Sequence, residues 1–307
     1  MSADLIVIEG VSKFYGEVLG VNRVSLSIPS GISSLVGPNG SGKTTLMNLM
    51  TGLIHPDRGS ITIRGISSRD PENLMQITGY ATQYDAAPRG TTGFEFVSTG
   101  LLLGGYSKSE SEELAWNALE LVDLTDAGHR KIAAYSKGMR QRVRLAQAIA
   151  HDPEVLLLDE PVAGMDPVNR RRVIELVRRM GREGKTVLVS SHILHEVEAM
   201  TRRVLLIHNG RILAEGDVRE IRDLLDEHPH TVSMRARDPR KLAQAVVSWP
   251  SVLSLSFGGE GEWLTVQTGK PDDFYGALHD AALEAGVLEM YSPDEDLESV
   301  FRYLVNR

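Results

Sequence analysis

The sequence predicts an α/β domain with an inserted α-helical section, followed by a small α+β domain. Three observations carry this expectation: an apolar strand running into a glycine-rich loop and a helix, helical apolar spacing in mid-chain, and a change of charge and texture near residue 220. The stretch Ile32-Ser-Ser-Leu-Val36 reads as a strand, and a helix begins near Lys43 after the loop that starts at Gly37. Between about Thr91 and Asp152 the periodicity turns helical, since Glu110–Val122 and Arg140–Ala150 both repeat apolar residues three and four apart. Val155-Leu-Leu-Leu158 is a continuous apolar run, as a parallel strand buried on both faces requires. Thr186–Val189 reads as another strand. We therefore set the first domain at residues 1–220, with the helical section at about 91–152, and the second at 221–307.

The second domain is the acidic one. Residues 221–307 hold 15 acidic and 8 basic residues, leaving 26 acidic and 25 basic before them. Thr231–Arg237 alternates like a strand, Asp238–Ser248 is helical, and Val252–Phe257 and Trp263–Thr268 are strands around Gly258-Gly259. Asp272–Ala285 reads as a helix and Val287–Tyr291 as a short strand, which completes the split βαβ, or ferredoxin-like, order. A last helix is expected from Pro293, with carboxylates in its first turn and Leu297, Val300, Phe301 and Leu304 on one face. Its apolar face suggests a dimer contact.

Composition excludes several classes. The 307 residues are 42% hydrophobic and 24% charged, with a formal net charge of −8, so bulk positive charge does not hold this chain to nucleic acid. Without cysteine there are no disulfides, thiolate metal sites or thiol nucleophiles. The first ten residues carry Asp4 and Glu9 and no basic start, unlike a secretory signal. No run approaches the about 18 apolar residues of a spanning helix. Work at a membrane would need another chain to cross it.

The residues Gly37-Pro38-Asn39-Gly40-Ser41-Gly42-Lys43-Thr44-Thr45 match G-x-x-x-x-G-K-[ST] in the context of strand, loop and helix, which is a phosphate cradle. Backbone N–H groups turn inward there, Lys43 reaches the β and γ phosphates, and Thr44 offers a hydroxyl to Mg²⁺. The strand from Val155 delivers Asp159 and Glu160 at its carboxyl end, where Asp159 would hold Mg²⁺ and Glu160 would polarise water. Because Pro161 follows, the same pair also suits a helix N-terminus.

Tyr135-Ser136-Lys137-Gly138-Met139-Arg140-Gln141-Arg142 resembles the signature motif of ATP-binding cassette (ABC) proteins. Physically it places a hydroxyl, backbone N–H groups and a helix dipole end where a γ-phosphate could bind, though alone it also reads as a capped basic helix. The family's other elements follow in order over residues 4 to 220. Tyr15 sits where the family stacks an aromatic ring on adenine, Gln83 at the glutamine loop that meets the metal, Gly164-Met165-Asp166 at the D-loop, and His192 at the switch histidine. His192 also suits a helix cap. Lys137, Val162 and Met165 depart from the commonest family residues without removing a catalytic group.

The resemblance implies a P-loop ABC ATPase that uses ATP and Mg²⁺ and works as a pair. Each composite site would take Lys43, Thr44, Gln83, Asp159, Glu160 and His192 from one protomer and Ser136 and Gly138 from its partner. The partner is a second copy or a related ATPase subunit, and a separately encoded permease would hold the pair at the cytoplasmic face of the membrane. Phe94, Phe96, Leu101–Leu103 and Tyr106 offer that permease an apolar surface, or fill the helical section's own core. The motif around Ser136 and the segment Asp296-Leu-Glu-Ser-Val-Phe301 look like the ATPase subunits of ABC-2-type exporters. A regulatory ABC ATPase with no transport role is the alternative.

Overall fold

The computed structural model describes residues 5–83, 90–217 and 229–292. The chain forms two compact units, Met1–Gly216 and Asp217–Arg307.

The larger unit opens with two long strands, β1 (Ile6–Tyr15) and β2 (Val18–Ile28), joined with β4 (Arg58–Ile63) and β5 (Ile66–Ser67) in an antiparallel sheet of order β2-β1-β4-β5. The expected α/β pattern did not anticipate this second sheet. Register shifts between Ile8 and Val11, and again to Phe14, break the alternation that would have marked β1.

The sheet that positions the site has the order β10-β9-β3-β8-β7-β6. Its strands are β3 (Gly31–Val36), β6 (Thr78–Ala81), β7 (Val155–Asp159), β8 (Thr186–Ser191), β9 (Arg203–His208) and β10 (Arg211–Asp217). The pairs β3–β8, β3–β9, β7–β8 and β6–β7 are parallel, so Val36, Ala81, Asp159 and Ser191 all end at one edge. Every residue of β7 and β8 is buried, as two-sided coverage demands. On one side lie α1 (Lys43–Met50) and the antiparallel sheet, sharing a core of Leu46, Met47, Leu49, Ile61 and Leu157. A short helix, α2 (Pro71–Ile77), leads into β6.

The inserted section consists of α3 (Gly93–Leu103), α4 (Lys108–Leu121) and α5 (Lys137–Ile149). Two of these helices start earlier than their apolar spacing indicates. Ser107 and Glu110 form a capping box that starts α4 at Lys108, and Ser136 caps α5 so that it starts at Lys137. Phe94 stacks on Trp116 at 4.8 Å, and Phe96 and Tyr106 pack on the same core, so these aromatic residues fill the section's interior. Leu102 and Leu103 stay exposed. Gly93 is required, because a Cβ there would lie 2.2 Å from the Tyr135 hydroxyl, which donates to the Ala127 carbonyl at 2.6 Å. Next come α6 (Pro167–Arg182), capped by Asp166, and the short α7 (Leu194–Glu198).

The smaller unit runs β11 (His230–Ala236), α8 (Pro239–Val246), β12 (Val252–Gly258), β13 (Trp263–Thr268), α9 (Pro271–Ala285) and β14 (Val287–Tyr291). Its sheet has the order β12-β13-β11-β14, antiparallel throughout. Val232, Met234, Leu264 and Val266 meet Leu242, Phe274 and Leu278 of the two helices in a separate core. The helix expected from Pro293 lies outside the described residues.

Candidate active site

The glycine loop between β3 and α1 brings backbone to close quarters. A Cβ on Gly37 would stand 2.3 Å from the Ile207 carbonyl oxygen, and Gly42, at φ +108°, would carry one 2.7 Å from that of Gly20. Only glycine allows the turn. Within the loop the Ser41 hydroxyl is buried with no hydrogen-bond partner, the kind of orphan that a phosphate oxygen satisfies.

Lys43 is buried, and its ammonium donates to the Gly37 carbonyl at 2.7 Å and to that of Pro38 at 3.1 Å. It also lies 3.8 Å from Glu160 Oε1. Burial pushes its pKa below the usual lysine value, and the Glu160 and Asp159 carboxylates push the other way. Thr44 Oγ1 donates to Asp159 Oδ2 at 2.6 Å across the gap between α1 and β7. These are hard oxygen donors of the kind Mg²⁺ takes. Among the described residues no cluster of three or more His, Asp or Glu could hold a metal by itself.

Glu160 sits just past β7 at φ +50°, a left-handed conformation uncommon for a non-glycine residue. Both sides of its peptide are fixed: its N–H donates to Ser190 Oγ at 2.9 Å, and its carbonyl accepts from Gln141 Nε2 at 2.8 Å. The Ser190 hydroxyl in turn donates to Asp159 Oδ1. His192 Nδ1 lies 2.9 Å from Glu160 Oε1, just beyond the end of β8. Lys43, Thr44, Asp159, Glu160 and His192 therefore form one connected cluster.

The other expected site residues lie apart from it. The Tyr15 ring and the Thr45 methyl border the same point over Gly20, which puts Tyr15 beside the first turn of α1. Gln83 follows β6, the strand next to β7, and is exposed; its carbonyl accepts from Arg144 Nη1 at 3.4 Å. Ser136 caps its own helix, accepting from the Met139 N–H at 3.2 Å. The space over Gly138 is open, with Met165 nearest at 3.7 Å. The Lys137 stem lies over Gly164. Asp166 caps α6, taking the N–H groups of Val168 and Asn169 at 3.1 Å each. The Asn169 side-chain amide, followed by its N–H, holds the Asp166 carboxyl below the usual range. Among the described residues no hydrogen bond joins Ser136, Gly138 or Asp166 to the Lys43 cluster.

Two members of the cluster were not expected. Ser190 is the last residue but one of β8, whose sequence points to His192 alone, and Gln141 lies in the segment resembling the signature motif, which points to Ser136 and Gly138. A hydroxyl near the end of a fully buried strand is the local signal for Ser190; its register with Asp159 is set only by the fold.

Residues 21–163 match the family described as ABC transporter. Nod factor export ATP-binding protein I of Burkholderia pseudomallei is 31% identical over 310 residues, covering 100% of this chain and 99% of that protein. The daunorubicin/doxorubicin resistance ATP-binding protein of Streptomyces peucetius is 32% identical over 238 residues, covering 77% of this chain and 72% of that one. A solved ATP-binding cassette, dimeric and bound to ADP and Pi in a post-hydrolysis state, matches with a TM-score of 0.64 at 26% identity, covering 70% of this chain and 99% of its own. With the cradle and its carboxylates built as above, these likenesses make the chain a member of the ABC transporter family, an ATP-binding subunit whose reaction is ATP hydrolysis.

Proposed function

We propose that this chain powers export through a separately encoded permease, as one half of a pair of ATPase subunits at the cytoplasmic face of the membrane. The observation that carries the pairing is the division of polar groups within one chain: among the described residues no hydrogen bond joins Ser136 or Gly138 to the Lys43 cluster, and the space over Gly138 is open. A second copy, or a related subunit, would bring its α5 to the nucleotide. Export is supported by the relatives whose names state export or drug resistance. Among the described residues no helix is long and apolar enough to cross a membrane, and in this reading the permease supplies the spanning segments.

In this reading ATP displaces the contacts that Lys43 makes to Gly37 and Pro38, and the ammonium turns to the β and γ phosphates. Tyr15 stacks on the adenine ring. The Ser41 hydroxyl and the backbone N–H groups of Asn39, Gly40 and residues 42–45 hold phosphate oxygens, and Asp166 and Lys137 line the partner's side. Thr44, Asp159 and Gln83 would hold Mg²⁺, which when bound neutralises charge on the transferring phosphoryl group. Glu160 takes the proton of the attacking water, while His192 leaves Glu160 for the γ-phosphate and senses its loss. Hydrolysis then reopens the pair.

We assign residues 1–220 to the ATPase domain and 221–307 to an accessory domain. The strand order and antiparallel register of the smaller unit support a ferredoxin-like fold. Exposed Leu102 and Leu103 at the end of α3, near Gln83 in sequence, are the surface we assign to the permease. The test is a tagged pull-down from detergent-solubilised membranes, with ATPase rates measured on what co-purifies. Recovery of an integral membrane protein, with turnover abolished by Glu160→Gln, is the expected result. Soluble partners alone would keep the ATPase and overturn its transport role.

A further inference from the structure

We infer that Arg170 and Glu196 are positioning residues that tie the D-loop to the switch histidine. The inference rests on the reading of His192 given above. Glu196, in α7 and four residues past His192, is 3% exposed and so needs partners for its charge. One oxygen, Oε2, accepts from Ser191 Oγ at 3.1 Å. The other, Oε1, lies 3.5 Å from Arg170 Nε, and although both atoms are buried neither makes a hydrogen bond. Arg170 belongs to α6 and also reaches back, donating from Nη2 to the Met165 carbonyl at 3.4 Å. One side chain thus touches both the D-loop and the helix that follows the switch.

Ser191 carries the contact onward. Its hydroxyl accepts the N–H of Ile193 at 3.0 Å, and its carbonyl accepts the N–H of Gly37, the first residue of the phosphate loop, at 3.3 Å. The next residue is His192, whose ring meets Glu160. A connected path therefore runs from Met165 through Arg170, Glu196 and Ser191 to His192 and Glu160, with a branch to the cradle. Its weakest contact is the pair at 3.5 Å, which lacks hydrogen-bond geometry. A loose buried ion pair has a second, tighter arrangement open to it, and two arrangements are what a coupling element needs. When the D-loop meets the partner subunit, Met165 moves Arg170 against Glu196, and the Ser191-His192 main chain is held where the ring leaves Glu160 for the phosphate.

A purely structural role would tie α6 to α7 and nothing more, so the test must separate the two. In the full chain, Arg170→Ala and Glu196→Gln are each expected to lower kcat about tenfold, leaving KM and equilibrium ATP affinity within about twofold of the parent. Arg170→Lys should recover most of that loss, and the double variant should be no worse than either single one. If Arg170→Ala fails to fold because Glu196 is left charged and alone, the double variant carries the same test. Unchanged kcat in all of them overturns the inference. So does a parallel loss of kcat, affinity and thermal midpoint that Arg170→Lys does not restore. His192→Ala is measured alongside: unchanged turnover there overturns the switch itself, whereas a fall there with normal Arg170 and Glu196 variants overturns only the link.

Discussion

The phosphate-loop side of the site and the signature end of α5 satisfy their polar groups in opposite ways. On the first side Lys43 donates to two loop carbonyls, Thr44 to Asp159, and the buried Ser41 hydroxyl to nothing. On the second, Ser136 and Asp166 are complete as caps of α5 and α6, and Gly138 faces open space. In the mechanism proposed here the first region exchanges partners when nucleotide arrives, and the second keeps its own and presents a surface. That difference makes substitutions in the two regions fail in different ways.

The largest effect falls on the exchanging side. Glu160→Gln should cut phosphate release by about a thousandfold and leave ATP affinity intact, since a general base contributes to turnover and little to binding. Retained hydrolysis would remove Glu160 from the chemistry. With ATP present the same variant should sediment as a dimer together with its membrane partner, and monomers alone would break the pairing.

On the presenting side, Gly138→Asp has room to fold, because outside its own helix the atom nearest the added Cβ is Met165 Cγ at 3.7 Å, an ordinary contact. It should lower turnover about a hundredfold by aiming a carboxylate at phosphate, while ATP binding to the isolated chain stays unchanged. Lost binding would mean that the signature serves its own cradle, and the contrast would collapse.

Ser190→Ala tests whether the exchanging side depends on groups that never touch nucleotide. It removes a donor to buried Asp159 and an acceptor for the Glu160 N–H. We expect a stability loss of about 1–3 kcal/mol, read by denaturant titration, and a kcat about tenfold lower.

Asp166→Ala should show the smallest effect, a thermal midpoint a few degrees lower with turnover little changed in the isolated chain. Its carboxyl is held below the usual range, so the cap's contribution is present above the ordinary Asp pKa and lost as pH falls through the lowered one. The difference between parent and variant should therefore vanish in acid. A difference that persists there would show that Asp166 does more than cap.

What could be read from sequence was chemistry carried by consecutive residues. The cradle from Gly37 to Thr45, the Asp159-Glu160 pair after an apolar strand, and His192 after another are each local, and the structure joins Lys43, Thr44, Asp159, Glu160 and His192 by short contacts. The smaller unit was legible strand by strand because its elements are short and punctuated by Pro or Gly, and β13 alternates between buried and more exposed positions. Partners brought from afar were not legible. Ser190 matters because β8 lies in register beside β7, and Gln141 because α5 passes the turn after Asp159, and neither fact leaves a mark on neighbouring residues. The antiparallel sheet was hidden by the bulges of β1, and the helix starts by caps that lie outside the apolar spacing.

The left-handed backbone at Glu160 has a cost in thermal robustness. An ordinary side chain held at φ +50° gives up about 1–2 kcal/mol that asparagine or glycine would largely recover. Selection for a sturdier protein would therefore favour replacing the carboxylate that we propose as the base. If Glu160 is the base proposed here, the chain tolerates a softer fold at the end of β7 in return for a carboxylate whose peptide is clamped on both sides. Stabilising libraries made from this protein should lose activity first at this position, and a thermostable but inactive Glu160→Asn or Glu160→Gly clone would be their characteristic product.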